Sequence, residues 1–334
     1  MGSFTVPLSI LDLALVGKGE TVGQSFAASV DLAQRAERWG FERIWYAEHH
    51  NMSSIASSAT SVLIGHVAGH TSTIRLGSGG IMLPNHSPLV IAEQFGTLAT
   101  IYPGRIDLGL GRAPGTDQVT MQALRRNNSS ADSFPSDVQE LQGYLGDRSL
   151  VPGVSAVPGK GTRVPLYILG SSLYGAQLAA ALGLPYAFAS HFAPDALHQA
   201  ISVYRDRFEP SEQLAEPHVI VGAGVIGADT AEEAQEQLQA TRRQRFRSLF
   251  GRGHNLTDAE VEEHLNGAGG MQVDHMLTYT AVGTGPEVRA FLSDLQAQTR
   301  ADELILVSNA VQRSAWLRSF ELVAEQCLCS VPTG

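Results

Sequence analysis

Five short stretches of this chain hold side chains able to do chemistry. Each follows a run of apolar residues. Trp45-Tyr46-Ala47 leads into Glu48-His49-His50-Asn51, an acid, two imidazoles and an amide in succession. Imidazole titrates near neutral pH, so His49 is a candidate acid, base or hydrogen-bond donor, and Glu48 and His50 are candidates to orient it. A lone histidine here would be read as bonding to nearby backbone, but three titratable groups at the start of a loop point to a site. They are poor candidates for a metal centre. Consecutive side chains on a strand point to opposite faces, and no His-Glu-x-x-His or cysteine cluster is there to join them.

The other stretches are Gly77-Ser78-Gly79-Gly80, Arg112 in a Gly111-Arg112-Ala113-Pro114-Gly115 loop, Ser171-Ser172 at a helix start, and Ser190-His191. Gly79-Gly80 strips a strand end of side chains, which suits either a bulge or a flat ligand against bare backbone. Ser171-Ser172 is an ordinary helix N-cap pattern. The same helix start also offers free N–H groups and the positive end of a dipole to a phosphate. Arg112 supplies the fixed cation that such an anion needs, unless it is only a surface charge. Together these three residues suit a flavin mononucleotide or a phosphosugar.

Such a site needs strand ends brought to one face. Strand-like runs occur at 7–13, 43–47, 75–84, 105–110, 164–170, 186–189, 218–224 and 303–307, and helical periodicity follows nearly all of them. Eight alternating units without a linker predict an α/β fold, a (β/α)8 TIM barrel formed as one domain over 1–334. A doubly wound sheet is disfavoured because no Gly-x-Gly-x-x-Gly turn follows the first strand. Residues 149–163 read as an excursion. Residues 251–275, with Gly251, Gly253, Gly267, Gly269 and Gly270, read as irregular and are expected to be a mobile loop.

Composition narrows the partners. The 334 residues are 43% hydrophobic and 17% charged, with a formal net charge of −10. An acidic globule of this kind argues against nucleic-acid and anionic-membrane binding. No apolar run approaches the roughly 18 residues of a membrane span. The N-terminus lacks the pattern of a secretion signal. Two cysteines, Cys327 and Cys329, make neither a disulfide framework nor a metal site, so a cytoplasmic protein with reduced thiols is expected.

Several motifs, in order along the chain, carry a resemblance. Trp45-x-x-Glu48-His49-His50, Leu76-Gly77-Ser78-Gly79-Gly80-Ile81-Met82-Leu83-Pro84-Asn85-His86-x-Pro88, Gly104 to Arg112, Pro165 to Pro185 and Val282-Gly283-Thr284-Gly285-Pro286 are similar to the bacterial luciferase-like, flavin-dependent monooxygenase family, in its single-chain oxidoreductase subgroup. The resemblance weakens at 125–160 and 250–275. It implies a cis peptide at Gly79-Gly80 against the flavin, a phosphate held by Arg112, Ser171 and Ser172, and further cofactor contacts from Gly111, Gly170 and His191. His49 falls on the family's catalytic histidine. The luciferase α-subunit has an acid where Ser171 stands and a reactive cysteine where Gly111 stands, so thiol-linked behaviour is not implied.

By the same resemblance the activity is a two-component one. Reduced FMN (FMNH2) arrives from a separate NAD(P)H:flavin reductase. Molecular oxygen is activated as a flavin C4a-hydroperoxide, and a small organic molecule such as an aldehyde or a polyketide intermediate is oxidised. A lid is implied near 251–275, and a homodimer through helices near 57–70 and 86–101. Two alternatives share the scaffold, an F420-dependent hydride-transfer oxidoreductase and a flavin-binding protein without catalysis.

Overall fold

The computed structural model describes residue 4 and residues 6–113, 116–251 and 256–328. Along the chain run β1 (Leu8–Asp12), α1 (Val22–Trp39), β2 (Arg43–Tyr46), α2 (Thr60–Ala68), β3 (Arg75–Met82), α3 (Pro88–Ile101), β4 (Ile106–Gly111), α4 (Gln118–Ala123), α5 (Phe134–Leu145), β5 (Leu166–Gly170) and α6 (Leu173–Leu182). There follow β6 (Tyr186–Phe188), α7 (Leu197–Asp206), β7 (Val219–Gly227), α8 (Ala231–Phe250), α9 (Asp258–Leu265), α10 (Ala268–Met276), β8 (Thr280–Gly283), α11 (Gly285–Thr299), β9 (Glu303–Val307) and α12 (Arg313–Val323). Strands β1 to β7 pair in order, all parallel. β7 also pairs with β9, and β9 with β1, which closes an eight-stranded ring. Every strand therefore delivers its C-terminal end to one rim, as the expected TIM barrel requires.

Local chemistry sets the element ends. Thr21 and Gln24 form a reciprocal capping box at the start of α1. Gly40 stops that helix at φ 88°, while the Phe41 N–H donates to the Ala36 carbonyl at 3.0 Å. Gly183 ends α6 in the same left-handed conformation.

Two apolar cores build the barrel itself. The larger lies between the strands and the outer helices, with Ile10, Ile44, Leu76, Leu108 and Val221 facing α-helical side chains such as Leu32, Ile64 and Phe95. The smaller lies inside the ring, where Leu11, Trp45, Tyr167, Ala187, Ile220 and Ile305 meet. Alternation along each strand assigns successive residues to the two cores.

Below the inner core a polar floor fills the bottom of the ring. Arg43 of β2 donates from Nε and Nη2 to both oxygens of Glu303 on β9, at 2.9 and 3.1 Å. Its Nη1 reaches Asp107 of β4 at 2.8 Å and the Tyr167 hydroxyl of β5 at 2.9 Å. Trp45 Nε1 and Arg75 also donate to Asp107, and Ser9 Oγ donates to Glu303 at 2.5 Å. Two guanidinium groups thus face two carboxylates in a water-poor interior. Burial works against the Arg43 charge, but Glu303 and Asp107 outweigh it and hold its pKa above the ordinary value.

Two features differ from the reading of the sequence. β8 is an additional strand of four residues, paired with the end of β7 outside the ring (Gly224↔Thr280 to Gly227↔Gly283). It is too short for a periodic pattern to reveal. The stretch read as a mobile loop is helical over α9 and α10, while 252–255 lie outside the described residues. Gly269 and Gly270 serve close packing. A Cβ on Gly270 would lie 1.8 Å from the Leu265 carbonyl oxygen, and one on Gly269 would lie 2.6 Å from the Phe246 ring. Phe246, Val261, Leu265, Val273 and Leu277 form a small core that fastens α9 and α10 to α8.

Among the described residues no helix is long and apolar enough to cross a membrane. Cys327 is buried, and burial pushes its thiol up to about 11; Cys329 lies outside the described residues.

Arg43→Met would leave Asp107 and Glu303 facing each other without their shared counter-ion. Urea unfolding is expected to show a loss of about 3–5 kcal/mol, the range for breaking a buried ion pair. A change below about 1 kcal/mol would mean that the floor carries little of the stability.

Candidate active site

Above the inner core, at the C-terminal rim, opens a cavity of about 780 Å³. Leu11, Trp45 and Ile305 form its base, and all five candidate stretches contribute to its wall.

The side-chain-free strip is where β3 breaks register with β4, between Ser78 and Ile81. The Gly79–Gly80 peptide is cis, as the resemblance implies. Neither position has space for a side chain. A Cβ on Gly79 would lie 2.6 Å from Leu11 Cδ1, and one on Gly80 would lie 2.8 Å from the Gly109 carbonyl oxygen. Ser78 Oγ donates to that same carbonyl at 2.8 Å and pins the bulge. The strand bulges here, and the bulge faces the cavity.

Glu48 is almost wholly buried at the end of β2. One of its oxygens accepts from His50 Nε2 at 2.7 Å and from His86 Nε2 at 2.8 Å. The other accepts from the Met82 N–H at 3.1 Å. Burial pushes the carboxyl up, yet the hydrogen bonds from the two imidazoles outweigh it and hold the group down at about 2. With the carboxylate ionised, both Nε2 atoms carry their protons. The ligand atoms of these three residues also cluster closely enough to suit a cation.

His49 lies between these groups and is left out of their network. Its Nδ1 is buried without a hydrogen-bond partner, and the ring lines the cavity. Burial, the largest influence, lowers its pKa; the Glu48 charge opposes this and His50 adds to it. A neutral imidazole results, able to donate from one nitrogen and accept at the other. The chain turns sharply just afterwards, with Asn51 at φ 56°, a conformation that asparagine tolerates better than most residues.

Arg112 and the start of α6 form a second corner. The Arg112 guanidinium stacks over the Tyr174 ring, 4.1 Å from its centroid. Ser172 is the N-cap of α6, but its side chain makes no capping hydrogen bond, so the hydroxyl is not spent on its own helix. The Tyr186 hydroxyl donates to the Ser172 carbonyl at 3.0 Å and fixes the turn. Ser171, Ser172, Gly111 and Gly170 all line the cavity, with Arg112 beside them. Pro114 and Gly115 lie outside the described residues. A cation, two available hydroxyls and a free helix N-terminus make a fit for a phosphate monoester.

On the far side, Ser190 Oγ donates to the Gly222 carbonyl at 2.6 Å and places His191 against β7. Gly222 makes room for that ring, since a Cβ there would lie 2.5 Å from His191 Nδ1. Burial, with a contribution from Arg245, holds the His191 pKa down at about 3. The residues 241, 244, 245, 248 and 249 of α8 cover this side of the mouth.

A family model described as luciferase-like monooxygenase matches residues 6–302. The chain belongs to the luciferase-like monooxygenase family. An Escherichia coli K12 luciferase-like monooxygenase is 49% identical over 325 residues, covering 96% of this chain and 97% of that protein. The N-acetyl-S-alkylcysteine monooxygenase of Bacillus subtilis is 32% identical over 337 residues, 97% of this chain and 99% of the relative. Membership and these relatives make the chain an oxidoreductase of the oxygen-incorporating kind. Among solved structures, apo-MsnO8 superposes with a TM-score of 0.86 at 36% identity, over 97% of this chain and 98% of its own. Two remoter structures share the fold alone. One is the oxygenating constituent of 3,6-diketocamphane monooxygenase from Pseudomonas putida in complex with FMN (TM-score 0.71, 17% identity, 98% and 99% covered). The other is the coenzyme F420-dependent tetrahydromethanopterin reductase of Methanopyrus kandleri (0.69, 15%, 96% and 98%).

All the residues singled out in sequence gather at this one cavity, although Glu48 and His50 support it from behind. Reasoning from sequence missed His86 as the second imidazole on Glu48, Tyr174 under Arg112, and Arg245. His86 was legible only as part of a family motif.

The depressed Glu48 pKa has a measurable consequence. Its value lies below the ordinary 4.5, so the stability it contributes is fully present above about pH 4.5 and is lost as pH falls toward about 2. Glu48→Gln is expected to be less stable than the native chain at pH 6, with the gap closing as pH falls through that window. A gap unchanged with pH would show that Glu48 is not held as a carboxylate.

Proposed function

We propose that this chain is the oxygenating component of a two-component FMN monooxygenase. Bound reduced flavin would supply the activation of molecular oxygen. The chain supplies the surroundings. Arg112, Ser171, Ser172 and the free N–H groups of α6 hold the phosphate. Gly79, Gly80, Gly111 and Gly170 leave a surface without side chains for the ring system. His49, neutral and unpartnered, donates or accepts a proton beside the reacting atoms, while Glu48 and His50 fix its position through the backbone they anchor. The base of the cavity and the α8 cover keep water from the reaction.

The observation that carries this reading is a buried, unpartnered imidazole in the same cavity as an unsatisfied phosphate corner. Nearly all buried polar atoms find partners, so His49 Nδ1 marks a place where a ligand completes the bonding. The barrel acts as one domain over 1–334, served by a separate NAD(P)H:flavin reductase in the cytoplasm. It pairs with a second copy through α2 and α3, whose Val62, Val90 and Ile101 are exposed.

Two variants test the assignment. Under anaerobic conditions Arg112→Gln is expected to weaken reduced-FMN binding about tenfold or more, by loss of a charge-assisted bond, while His49→Ala leaves it within about twofold. With a flavin reductase present, His49→Ala is expected to lower substrate-dependent oxygen uptake by about 10²-fold, the low end for a positioned acid–base group. Tight binding of reduced F420 with none of FMN would transfer the site to hydride-transfer chemistry.

A further inference from the structure

Arg245 is the one arginine of its helix with nothing to bind. On α8, Arg242 pairs with Asp274, Arg243 with Glu262 and Arg247 with Asp258, all toward α9 and α10. Arg245 makes no hydrogen bond or ion pair with any described residue, and it lines the cavity instead. All 33 acidic residues of the chain lie within the described residues, so none of them is left to serve as its counter-ion. Arg245 is half-buried, and a partly desolvated cation without a partner costs stability that an anionic ligand would restore.

The cavity agrees. No aspartate or glutamate lines it, although the whole chain carries a net charge of −10. Among the described residues its only fixed charges are Arg112 and Arg245. They come from widely separated parts of the ring, the loop after β4 and the helix after β7. A phosphate held at Arg112 therefore leaves a second positive pole unsatisfied. Around that pole Thr241, Gln244 and Ser248 of α8 are polar, while Leu249, Met276 and Phe192, with the apolar base of the cavity below, supply an apolar surface. The His191 ring has no hydrogen-bond partner among the described residues and is uncharged near neutral pH, so it adds a neutral N–H rather than a second charge.

We propose that Arg245 binds the organic substrate, and that this substrate is a carboxylate with an apolar body. One planar guanidinium meets one planar carboxylate through two parallel hydrogen bonds, and His191 is placed to donate another. The substrate class rests on the monooxygenase reading of the cavity; the anion site itself does not.

Calorimetric titration of the full chain with octanoate and with octanamide, each with and without saturating FMN, tests this. The native protein is expected to prefer octanoate by about tenfold or more. Arg245→Gln abolishes that preference, Arg245→Lys keeps part of it, and both bind FMN as the native chain does. Arg112→Gln shows the converse, with weakened FMN and an intact preference. Because Arg245 has no structural partner, Arg245→Gln also melts no lower than the native chain. Equal binding of the two probes, a preference that survives Arg245→Gln, a preference lost only in Arg112→Gln, or a lower melting temperature in Arg245→Gln would each overturn the proposal. If reduced FMN fails to bind under anaerobic conditions while the Arg245-dependent preference persists, the anion site stands and the monooxygenase reading falls.

Discussion

One buried carboxylate organises the reactive end of this barrel. Glu48 sits where β2 ends, and it gathers the Met82 N–H from the end of β3, the His50 imidazole from its own loop and the His86 imidazole from the turn beyond. A carboxylate that accepts three hydrogen bonds in a dry setting ties two strand ends into one rigid rim. Because it stays ionised, it fixes the protons of both imidazoles. His49, one residue on, points away from this network and keeps both nitrogens uncommitted. Just beyond β2 three adjacent residues thus divide the labour: Glu48 builds the rim, His49 faces the cavity, and His50 returns to the rim.

The second constraint is steric. Gly77, Gly79, Gly80 and Gly109 lie where the backbone approaches other backbone or the side chains of Leu11 and Trp45, and added Cβ atoms would fall within 2.1 to 2.9 Å of neighbouring atoms. Trp45 fills the inside of the ring below, and the glycines keep the space above it empty. The polar floor anchored by Arg43 closes the bottom, so the ring is solid at one end and open at the other. Binding chemistry is confined to the rim because only there does the packing stop.

Much of this was legible in the sequence, for physical reasons that also explain what was not. Buried parallel strands leave continuous apolar runs, and caps such as Thr21 with Gln24 or Gly40 with Phe41 are local, so the barrel and its helices could be read directly. Glu48-His49-His50 announced a site, since charged and titratable groups rarely follow a buried strand without cause. Which imidazole was free depended on His86, brought in by a turn that only the fold places next to Glu48. Arg245 was hidden among Arg242, Arg243 and Arg247, because a polar helix does not disclose which of its cations finds an acid. Gly269 and Gly270 look like looseness in sequence, yet in the fold they are contacts too close for a side chain.

On the proposed function, the cavity holds reduced flavin in a dry, acid–base-ready setting. The direct measurement is rapid mixing of the anaerobic protein–FMNH2 complex with oxygenated buffer, following the flavin spectrum over time. A transient species that outlives the reaction of free reduced FMN by about 10²-fold or more, and decays faster in His49→Ala, is the expected result. Reoxidation at the rate of free flavin, with no transient and no difference between native and variant, would contradict it.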